Sequence, residues 1–215
     1  MHDRPGTRLF ARIPALERLE ARLLAHGHAP YERAVEPWKQ ELFGQLSGDV
    51  LEIGAGAGAN LELLPAAIRY SALEPNAFSR ELLTRKAAEL GRAATVVGGN
   101  AERLPFADES FDAVICSLVL CTIHHVPRAL AEVRRVLRPE GRFVFVEHVI
   151  APQRRWLRAV QHAVKPLWYV VGNGCRPDRD TAAAIAAAGF SRTELQHVRM
   201  PVPVVGPHLV GYAIR

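Results

Sequence analysis

The sequence predicts an α/β fold, a doubly wound sheet of seven mostly parallel strands. From residue 49 onward, short apolar runs alternate with helical patterns, which is typical of βαβ units. One apolar run ends abruptly in three glycines at alternate positions, Gly54, Gly56 and Gly58, as a buried strand does when it turns tightly into a helix. Crossovers between parallel strands are almost always right-handed, so we expect helices on both faces of the sheet.

The size and composition of the chain fit a single domain. Of its 215 residues, 49% are hydrophobic, which is enough for one core. No apolar run reaches the roughly 18 residues of a membrane-spanning helix, and the first residues lack the apolar centre of a secretory signal. We therefore expect a cytoplasmic protein. Its one domain divides into a helical cap (1–48), a ligand-binding core (49–150) and a substrate-side insertion with the terminal strands (151–215).

Charge and cysteine content limit the expected partners. The net charge is +5, and residues 151–215 hold nine Lys and Arg against three Asp and Glu. Such a basic surface can face nucleic acid, an anionic membrane or solvent. No aromatic-studded nucleic-acid motif accompanies it, so we expect no nucleic-acid partner. The three cysteines, Cys116, Cys121 and Cys175, lack metal-ligand spacing, which predicts reduced thiols and no metal site.

Two helices are predicted ahead of the sheet. Residues 12–26 alternate leucines and charged residues with the period of an amphipathic helix. A second helix is predicted from Tyr31 or Pro37 to Leu46, because Pro30 and Pro37 interrupt the pattern. The first helix either packs over the sheet and its ligand or lies on a membrane surface.

The core shows a regular alternation of strands and helices. Strands are predicted near residues 50–53, 69–74, 94–98, 111–117 and 141–148, and helices near 58–64, 77–90 and 126–138. Ligands bind at the carboxyl ends of parallel strands in such sheets. The side chains that follow each strand are therefore candidates for a site.

The last part of the chain begins with a helical insertion. Residues 153–171 carry apolar side chains at helical spacing, among them Trp156 and Trp168, and Pro166 is expected to kink or end the helix. This apolar stripe is either core or a lid that lines an apolar pocket. The elements predicted beyond it are a helix over 178–188 and strands near 190–198 and 208–214.

The glycine turn has features of a nucleotide site. Glycine permits positive φ angles and close approach of a ligand, and the following helix offers unpaired N–H groups. The spacing is G-x-G-x-G, not the G-x-G-x-x-G of dinucleotide enzymes, and acidic Glu52 stands two positions before the first glycine. This combination fits S-adenosylmethionine better than a nicotinamide. The expected contacts are Glu52, Gly54, Ala55, Gly56, Gly58 and Asn60.

Three further strand ends extend the predicted cofactor site. Glu74 ends the second strand twenty residues after Gly54, where a carboxylate can accept both ribose hydroxyls. Asn100, after the third strand, can bond the adenine edge while its two neighbours add backbone contacts. The end of the fourth strand should pass under the methionine portion. The residues concerned are Glu74, Pro75, Asn100, Ala101, Glu102, Ser117 and Leu118.

These segments together resemble the class I S-adenosylmethionine-dependent methyltransferases that act on small molecules. The ordered motifs are E-x-G-x-G-x-G, an acidic end of the second strand, A-E-x-L-P-F, S-F-D and L-R-P-x-G, the last at Leu137–Gly141. The match covers residues 49–150. It implies a Rossmann-like sheet, S-adenosylmethionine as the methyl donor and S-adenosylhomocysteine as the product.

A narrower resemblance reaches the C-terminus and points to the methyltransferase-like thiol S-methyltransferases. It implies a small-molecule thiol as the acceptor. Animal members of that family sit on microsomes and lipid droplets and begin with an apolar anchor, whereas residues 12–26 here are amphipathic and contain arginine. We therefore expect peripheral membrane contact at most. The segments that carry this resemblance are Gly58–Asn60, Leu118–Cys121, Glu147–Val149, Asn173–Cys175, Leu195–His197 and Pro207–Ala213.

Histidines at strand ends are the candidates for activating the acceptor. Methyl transfer is an in-line displacement, so the protein mainly aligns the nucleophile with the methyl group. A thiol with a pKa near 8.5 is only a few per cent ionised at neutral pH, and a nearby histidine can raise that fraction. His148, after the fifth strand, is the first candidate and His124, beyond the fourth, the second. Cys121 and Cys175 are candidates for substrate contact, although a buried cysteine is usually a small hydrophobe.

Four other functions compete with this interpretation. An N- or O-methyltransferase of a phospholipid or natural product would suit the aromatic insertion and the basic last third. An RNA-directed enzyme is disfavoured, because Ser117–Leu120 replaces the Asp/Asn-Pro-Pro-aromatic motif after the fourth strand. A cofactor-binding subunit without catalysis would show no turnover, and a nicotinamide-dependent dehydrogenase would bind NAD rather than S-adenosylmethionine.

Overall fold

The computed structural model describes residues 13–26 and 29–215. Within these residues seven strands form one sheet in the order β3-β2-β1-β4-β5-β7-β6. The strands are β1 (Asp49–Ile53), β2 (Arg69–Leu73), β3 (Ala94–Val97), β4 (Phe111–Ser117), β5 (Leu137–His148), β6 (Arg192–Arg199) and β7 (Pro207–Ile214). The helices are α1 (Pro14–His26), α2 (Ala29–Phe43), α3 (Ala77–Glu89), α4 (Val126–Val136), α5 (Arg155–Val171) and α6 (Thr181–Ala186). Neighbouring strands are parallel except at β7, which is antiparallel to β5 and β6, so the predicted mostly parallel sheet is confirmed.

A separate hydrophobic core lies on each face of the sheet. Successive side chains of a strand point to opposite faces, and in β4 Val114 and Cys116 join one core while Ala113 and Ile115 join the other. Helices α4 and α6 cover the first face, and α2 and α3 cover the second. The sheet is therefore doubly wound, and the carboxyl ends of its strands are the place for a ligand.

Helix α1 lies over the end of β2. The guanidinium of Arg18 is 4.6 Å from the centre of the Phe78 ring on α3. Asn76 Nδ2, just after β2, donates a hydrogen bond of 3.0 Å to the carbonyl oxygen of Glu17. The N-terminal cap thus closes over the strand end at which the cofactor ribose is predicted.

Two prolines lie inside helices that they were expected to interrupt. Helix α2 begins earlier than predicted and runs through Pro37, and α5 continues through Pro166. A helix start at Pro37 and a helix end at Pro166 are therefore wrong, whereas a kink at Pro166 stays a prediction. A proline inside a helix costs about 3 kcal/mol, and in α2 the buried side chains of Val35 and Phe43 help to offset this cost.

Two element boundaries also differ from prediction. The helix predicted near residues 58–64 is only the short 3-10 helix Leu61–Leu63, because the glycine turn occupies the residues before it. Strand β5 begins before residue 141, because Leu137 pairs with Phe111 of β4. Parts of the predicted first helix lie outside the described residues, namely residue 12 and the side chains of residues 20 and 23–26, which include Leu23 and Leu24.

The apolar stripe of α5 is largely exposed. Trp156 and Leu167 are 62% and 69% exposed, and Val160 and Val170 are exposed on the same side of the helix. The expectation that this stripe is core is therefore wrong for these residues. The helix packs instead through the buried side chain of Leu157. Among the described helices, none is both long and apolar enough to span a membrane.

Candidate active site

The glycine turn has the backbone conformation that only glycine adopts without strain. Gly54, Gly56 and Gly58 have φ angles of 69°, 55° and 86°. A Cβ at Gly54 would lie 2.5 Å from Val119 Cγ2, and one at Gly58 would lie 2.7 Å from Leu83 Cδ1. A Cβ at Gly56 would have no neighbour within 4 Å, so this glycine borders open space. The turn is thus tightly packed against the protein at Gly54 and Gly58 and open to a ligand at Gly56, as a cofactor-binding turn must be.

Glu74 is held beside this turn. Its Oε2 accepts a hydrogen bond of 3.0 Å from Gly56 N, and its Oε1 accepts one of 2.8 Å from Asn76 N. Arg80 supports the same strand end by donating to the carbonyl oxygens of Glu74 and Pro75, each at 2.8 Å. The turn and the carboxylate together fit S-adenosylmethionine, and a contact between Glu74 and the ribose stays a prediction. Arg80 was not foreseen from the sequence.

Glu52 has a different environment from the one expected. Its side chain is buried, with Asn60 Nδ2 donating to Oε1 at 2.6 Å and the Tyr70 hydroxyl donating to Oε2 at 2.5 Å. Burial raises the pKa of Glu52 above its ordinary value. A direct contact between Glu52 and the cofactor stays a prediction. The structure assigns Glu52 the task of holding Asn60, which ends the glycine turn.

Lys39 completes this buried network. Its Nζ donates to Asn60 Oδ1 at 2.8 Å and forms an ion pair of 2.6 Å with Glu32. Lys39→Met is expected to lower the free energy of unfolding by about 1–3 kcal/mol, because Asn60 Oδ1 then loses its donor inside the protein. Urea unfolding measures this change. Lys86→Met is the matched control, since the Lys86–Glu62 pair is partly exposed and 3.7 Å long. Equal losses from both variants would contradict the structural role of Lys39.

The loop after β3 is organised by its own side chains. Asn100 is exposed, and its Oδ1 accepts a hydrogen bond of 3.0 Å from Glu102 N. Glu102 Oε1 in turn accepts a hydrogen bond of 2.9 Å from His125 N, just before α4. Ala101, between Asn100 and Glu102 in the sequence, is buried. Contact of these residues with adenine stays a prediction. The structure adds that Glu102 ties the adenine-side loop to α4.

The end of β4 has an unusual backbone. Leu118, which follows Ser117, has a φ angle of 58°, a region that costs free energy for any residue with a Cβ. Val119 N and Leu120 N both donate to Glu147 Oε1, at 2.8 and 3.0 Å. These bonds hold the strained loop against the glycine turn, because Val119 is the residue that contacts Gly54.

Glu147 is a site residue that the sequence reasoning missed. It is fully buried, and burial raises its pKa to about 7. Among the described residues, its Oε2 has no hydrogen-bond partner. The signals available for it were its position next to His148 and its place in the segment Glu147–Val149 of the narrower resemblance, and both were used for the histidine alone.

His148 lies in a buried cluster with two cysteines. Its Nε2 is 3.0 Å from Cys175 Sγ, and the ligand atoms of Cys121, His148 and Cys175 all lie within 4.8 Å of one another. Hydrogen bonds from Cys121 and His148 lower the pKa of Cys175, and the bond to Cys175 raises the pKa of Cys121. His124 lies outside this cluster, exposed and packed on His125 with ring centres 4.2 Å apart.

A second buried histidine lies next to the cluster. The ring of His208 on β7 is 6.3 Å from that of His148. Its Nδ1 donates to the carbonyl oxygen of Gly206 at 3.0 Å, so its Nε2 accepts the hydrogen bond of 2.7 Å from the Tyr31 hydroxyl on α2. Burial lowers the pKa of His208 to about 4, which keeps the ring neutral. Helix α2 and strand β7 thereby enclose the cluster.

Two of the sequence motifs lie far from this site. Arg138, from L-R-P-x-G, pairs with Asp112, from S-F-D, at 2.8 Å and with Asp49 at 2.9 Å. Asp49 N also donates to Asp112 Oδ2 at 2.7 Å. These residues join the amino ends of β1, β4 and β5. They stabilise the edge of the sheet opposite the cofactor turn.

The segments of the narrower resemblance converge on one place. Cys121, His148, Cys175 and His208 come from four of those segments, and each lies in or beside the buried cluster. Cys121 and Cys175 were candidates for substrate contact, and the spacing along the chain predicted no metal-binding group among them. Folding nevertheless brings two thiols and an imidazole together at the carboxyl ends of β4 and β5.

Comparisons with known proteins agree with this geometry. Residues 51–145 match the family model described as a methyltransferase domain. The thiol S-methyltransferases TMT1B and TMT1A from Homo sapiens are 38% and 36% identical over 198 and 200 residues, which cover 85% and 86% of this chain and 80% and 81% of those proteins. A solved SAM-dependent methyltransferase from Thermotoga maritima superposes with a TM-score of 0.65 at 20% identity, covering 90% of this chain and 97% of that one. The chain is therefore a class I S-adenosylmethionine-dependent methyltransferase and belongs to the family of the TMT1 thiol S-methyltransferases.

Proposed function

We propose that this enzyme methylates a small-molecule thiol. The observation that carries the proposal is the buried cluster of Cys121, His148 and Cys175 near the carboxyl ends of β4 and β5. Sulfur and imidazole are soft, polarisable groups suited to a sulfur acceptor. The human relatives are named as thiol S-methyltransferases, which supports the same acceptor here.

The cluster is connected to the cofactor side through a short chain of contacts. Gly54 packs against Val119, whose N–H is bonded to Glu147, and Glu147 is followed directly by His148. When bound, S-adenosylmethionine supplies a methyl group on a positively charged sulfur, which is the electrophile. The protein must hold the acceptor sulfur in line with that methyl group and exclude water from the reacting atoms. The strained loop after β4 and the buried end of β5 form the side of the site that excludes water.

Acceptor ionisation is the second task of the site. A thiol with a pKa near 8.5 is mostly protonated at neutral pH, whereas the thiolate is the nucleophile. Buried Glu147 and the imidazole of His148 lie where the proton can be taken up or the thiolate stabilised. These two side chains are the ones we assign to acceptor activation.

A panel of acceptors tests the proposed function. The enzyme is incubated with labelled S-adenosylmethionine and an aliphatic thiol, an aromatic thiol, an amine or a phenol, and methylated products are identified by mass spectrometry. We expect thioethers from the thiols and a much lower rate with the amine and the phenol. Faster methylation of the amine or the phenol would overturn the thiol assignment and favour the N- or O-methyltransferase interpretation.

We also propose that the enzyme works in the cytoplasm and touches membrane lipid from there. The three cysteines are free thiols, which suits a reducing compartment. The exposed side of α5 presents Trp156, Leu167 and neighbouring apolar side chains, with arginines at the start of the helix. An apolar face flanked by basic residues is typical of helices that lie on anionic lipid. Leu19 on α1 and Ile13 just before it are 52% and 50% exposed and add a smaller apolar surface.

Vesicle binding tests the membrane proposal. Trp156→Asp is expected to reduce co-sedimentation with anionic phospholipid vesicles about tenfold or more, because an exposed indole that would insert into the lipid is replaced by a charge. Glu81→Asp, an exposed substitution on α3, is the control and should leave binding unchanged. Wild-type protein that stays in the supernatant would refute lipid contact.

A further inference from the structure

Cys121, His148 and Cys175 offer three ligand atoms of the kinds that bind zinc. All three residues are buried, with exposures of 2%, 5% and 9%. Their ligand atoms lie within 4.8 Å of one another. In a tetrahedral zinc site, Zn–S bonds of about 2.3 Å and Zn–N bonds of about 2.0 Å place ligand atoms roughly 3.5 Å apart. Shifts of about 1 Å or less would bring the three atoms to these positions.

The backbone around these ligands is well fixed. Cys121 is held from the β4 side by the loop bonded to Glu147, and its carbonyl oxygen accepts a hydrogen bond of 3.1 Å from Arg176 N. Cys175 follows two residues with left-handed backbone, Asn173 and Gly174, at φ angles of 46° and 94°. Such a constrained turn sets the direction of the Cys175 side chain. The two cysteines are therefore brought together by tertiary structure and not by a flexible loop.

The cluster lacks sufficient hydrogen-bond partners of its own. Among the described residues, His148 Nδ1 has no hydrogen-bond partner, and His148 Nε2 faces only the sulfur of Cys175. Burial of this imidazole costs free energy of folding, because the ring gives up its hydrogen bonds to water and gains only one weak hydrogen bond to sulfur. A metal ion bonded to Nε2 would replace that weak contact with a strong one.

We propose that Cys121, His148 and Cys175 bind one Zn²⁺ ion whose fourth coordination position takes the acceptor thiol as a thiolate. Three protein ligands and one open position are the pattern of catalytic zinc sites, whereas structural sites are closed by four. Two thiolates with one imidazole favour zinc over magnesium or calcium, which prefer oxygen. This inference rests on the proposed thiol methylation for the identity of the fourth ligand.

The chemistry of this site balances without any redox partner. Binding of Zn²⁺ displaces the thiol protons of Cys121 and Cys175 to solvent. The acceptor would replace water at the fourth position and lose its S–H proton to solvent, because a coordinated thiol is deprotonated. As a zinc ligand, His148 would then stabilise the thiolate through the metal and would not take up its proton. The acceptor sulfur uses a lone pair to form the new S–CH₃ bond, and the electrons of the broken methyl–sulfonium bond stay on the sulfur of S-adenosylhomocysteine. The neutral thioether product is a poor ligand and is released.

Metal content is the first measurement. Full-length enzyme purified without chelator and reconstituted with zinc is expected to hold about one Zn²⁺ per chain. Cys121→Ser and Cys175→Ser are expected to lose it. Cys116→Ala is the matched control, because Cys116 is also a buried free cysteine but lies within β4, in the hydrophobic core. Circular dichroism of each variant shows whether it folds, and a variant that does not fold is replaced by His148→Gln for the same measurement.

Cobalt substitution tests the open position. Co²⁺ bound by two thiolates and one imidazole absorbs visible light, and 2-mercaptoethanol added to the Co²⁺ enzyme is expected to shift that spectrum as a third sulfur binds. The shift should be absent when the equivalent alcohol, ethanol, is added. An unchanged spectrum with the thiol would overturn the open fourth position, and zinc content no higher in wild type than in Cys175→Ser would overturn the whole site. Copper retained in place of zinc would overturn the choice of metal.

These results are separable from those of the acceptor panel. If the wild-type enzyme holds zinc and methylates no thiol, the proposed function fails while the metal site stands. If metal-free enzyme, prepared with a chelator and shown to be folded, methylates thiols as fast as zinc-loaded enzyme, the metal inference fails while the proposed function stands. A Cys121–Cys175 disulfide in protein that takes up no zinc after reduction would also refute the metal site.

Discussion

Replacing Glu74 with alanine is expected to weaken the binding of S-adenosylmethionine by more than about tenfold, the equivalent of at least 1.4 kcal/mol. The carboxylate is buried at the end of β2 and is oriented by Gly56 N and Asn76 N. A charged acceptor that bonds the two ribose hydroxyls contributes about 1.5–3 kcal/mol for each bond. Isothermal titration calorimetry with S-adenosylmethionine measures the change in dissociation constant directly.

Two control variants make this result interpretable. Glu74→Gln keeps the size of the side chain and one acceptor oxygen, so its loss of affinity should lie between wild type and Glu74→Ala. Glu81→Ala removes an exposed acid from α3 and should leave affinity unchanged. Thermal unfolding of each protein confirms that the binding site is folded at the temperature of the titration. Unchanged affinity in a folded Glu74→Ala enzyme would remove this residue from the cofactor site.

Replacing His148 with alanine is expected to lower kcat with a thiol acceptor by about 100-fold or more, the size of effect typical for loss of an acid–base or ligand group. The affinity for S-adenosylmethionine should change little, because His148 lies in the buried cluster with Cys121 and Cys175, where we propose that the acceptor binds. Steady-state kinetics give kcat, and calorimetry gives the cofactor affinity of the same preparation.

His124→Ala is the companion variant, since His124 was the second histidine candidate. It is exposed and packs on His125, outside the buried cluster. We therefore expect its kcat to stay within about twofold of wild type, as is usual for an exposed side chain without partners in the site. A larger loss of kcat in His124→Ala than in His148→Ala would reverse the ranking of the two histidines.

The glycine turn and the position of Glu74 beside it were predictable because their signals are local. The glycines at residues 54, 56 and 58 are required by positive φ angles, and Glu74 follows directly from the end of a strand. The doubly wound sheet follows from the alternation of strand and helix patterns over residues 49–150. Each of these signals lies within a few residues of the feature it predicts.

Burial was the property that local patterns predicted least well. The helical spacing of Trp156 and Leu167 correctly placed them on one side of α5, but spacing does not say whether that side meets protein or solvent. Glu52 and Lys39 show the reverse case. Charged residues are expected at the surface, yet both are buried here because Asn60 and Tyr70 complete a hydrogen-bonded network around them.

The acceptor site depended on contacts between distant segments. His148 was chosen from its place at the end of a strand, but its partners Cys121 and Cys175 each lie 27 residues away along the chain. The first is brought to it by the parallel pairing of β4 with β5 and the second by the turn after α5. The spacing of these residues along the chain does not predict that they lie together.

The sequence alone therefore determined the fold class, the methyl donor and the glycine turn at the end of β1, because glycine conformation and strand-end chemistry act over short stretches of chain. Only the tertiary structure decided what lies on the acceptor side. There, Glu147, His148 and the two cysteines acquire their environment from the packing of separate elements: burial raises the pKa of Glu147, and the contact between Cys121 and Cys175 raises the pKa of the first thiol and lowers that of the second.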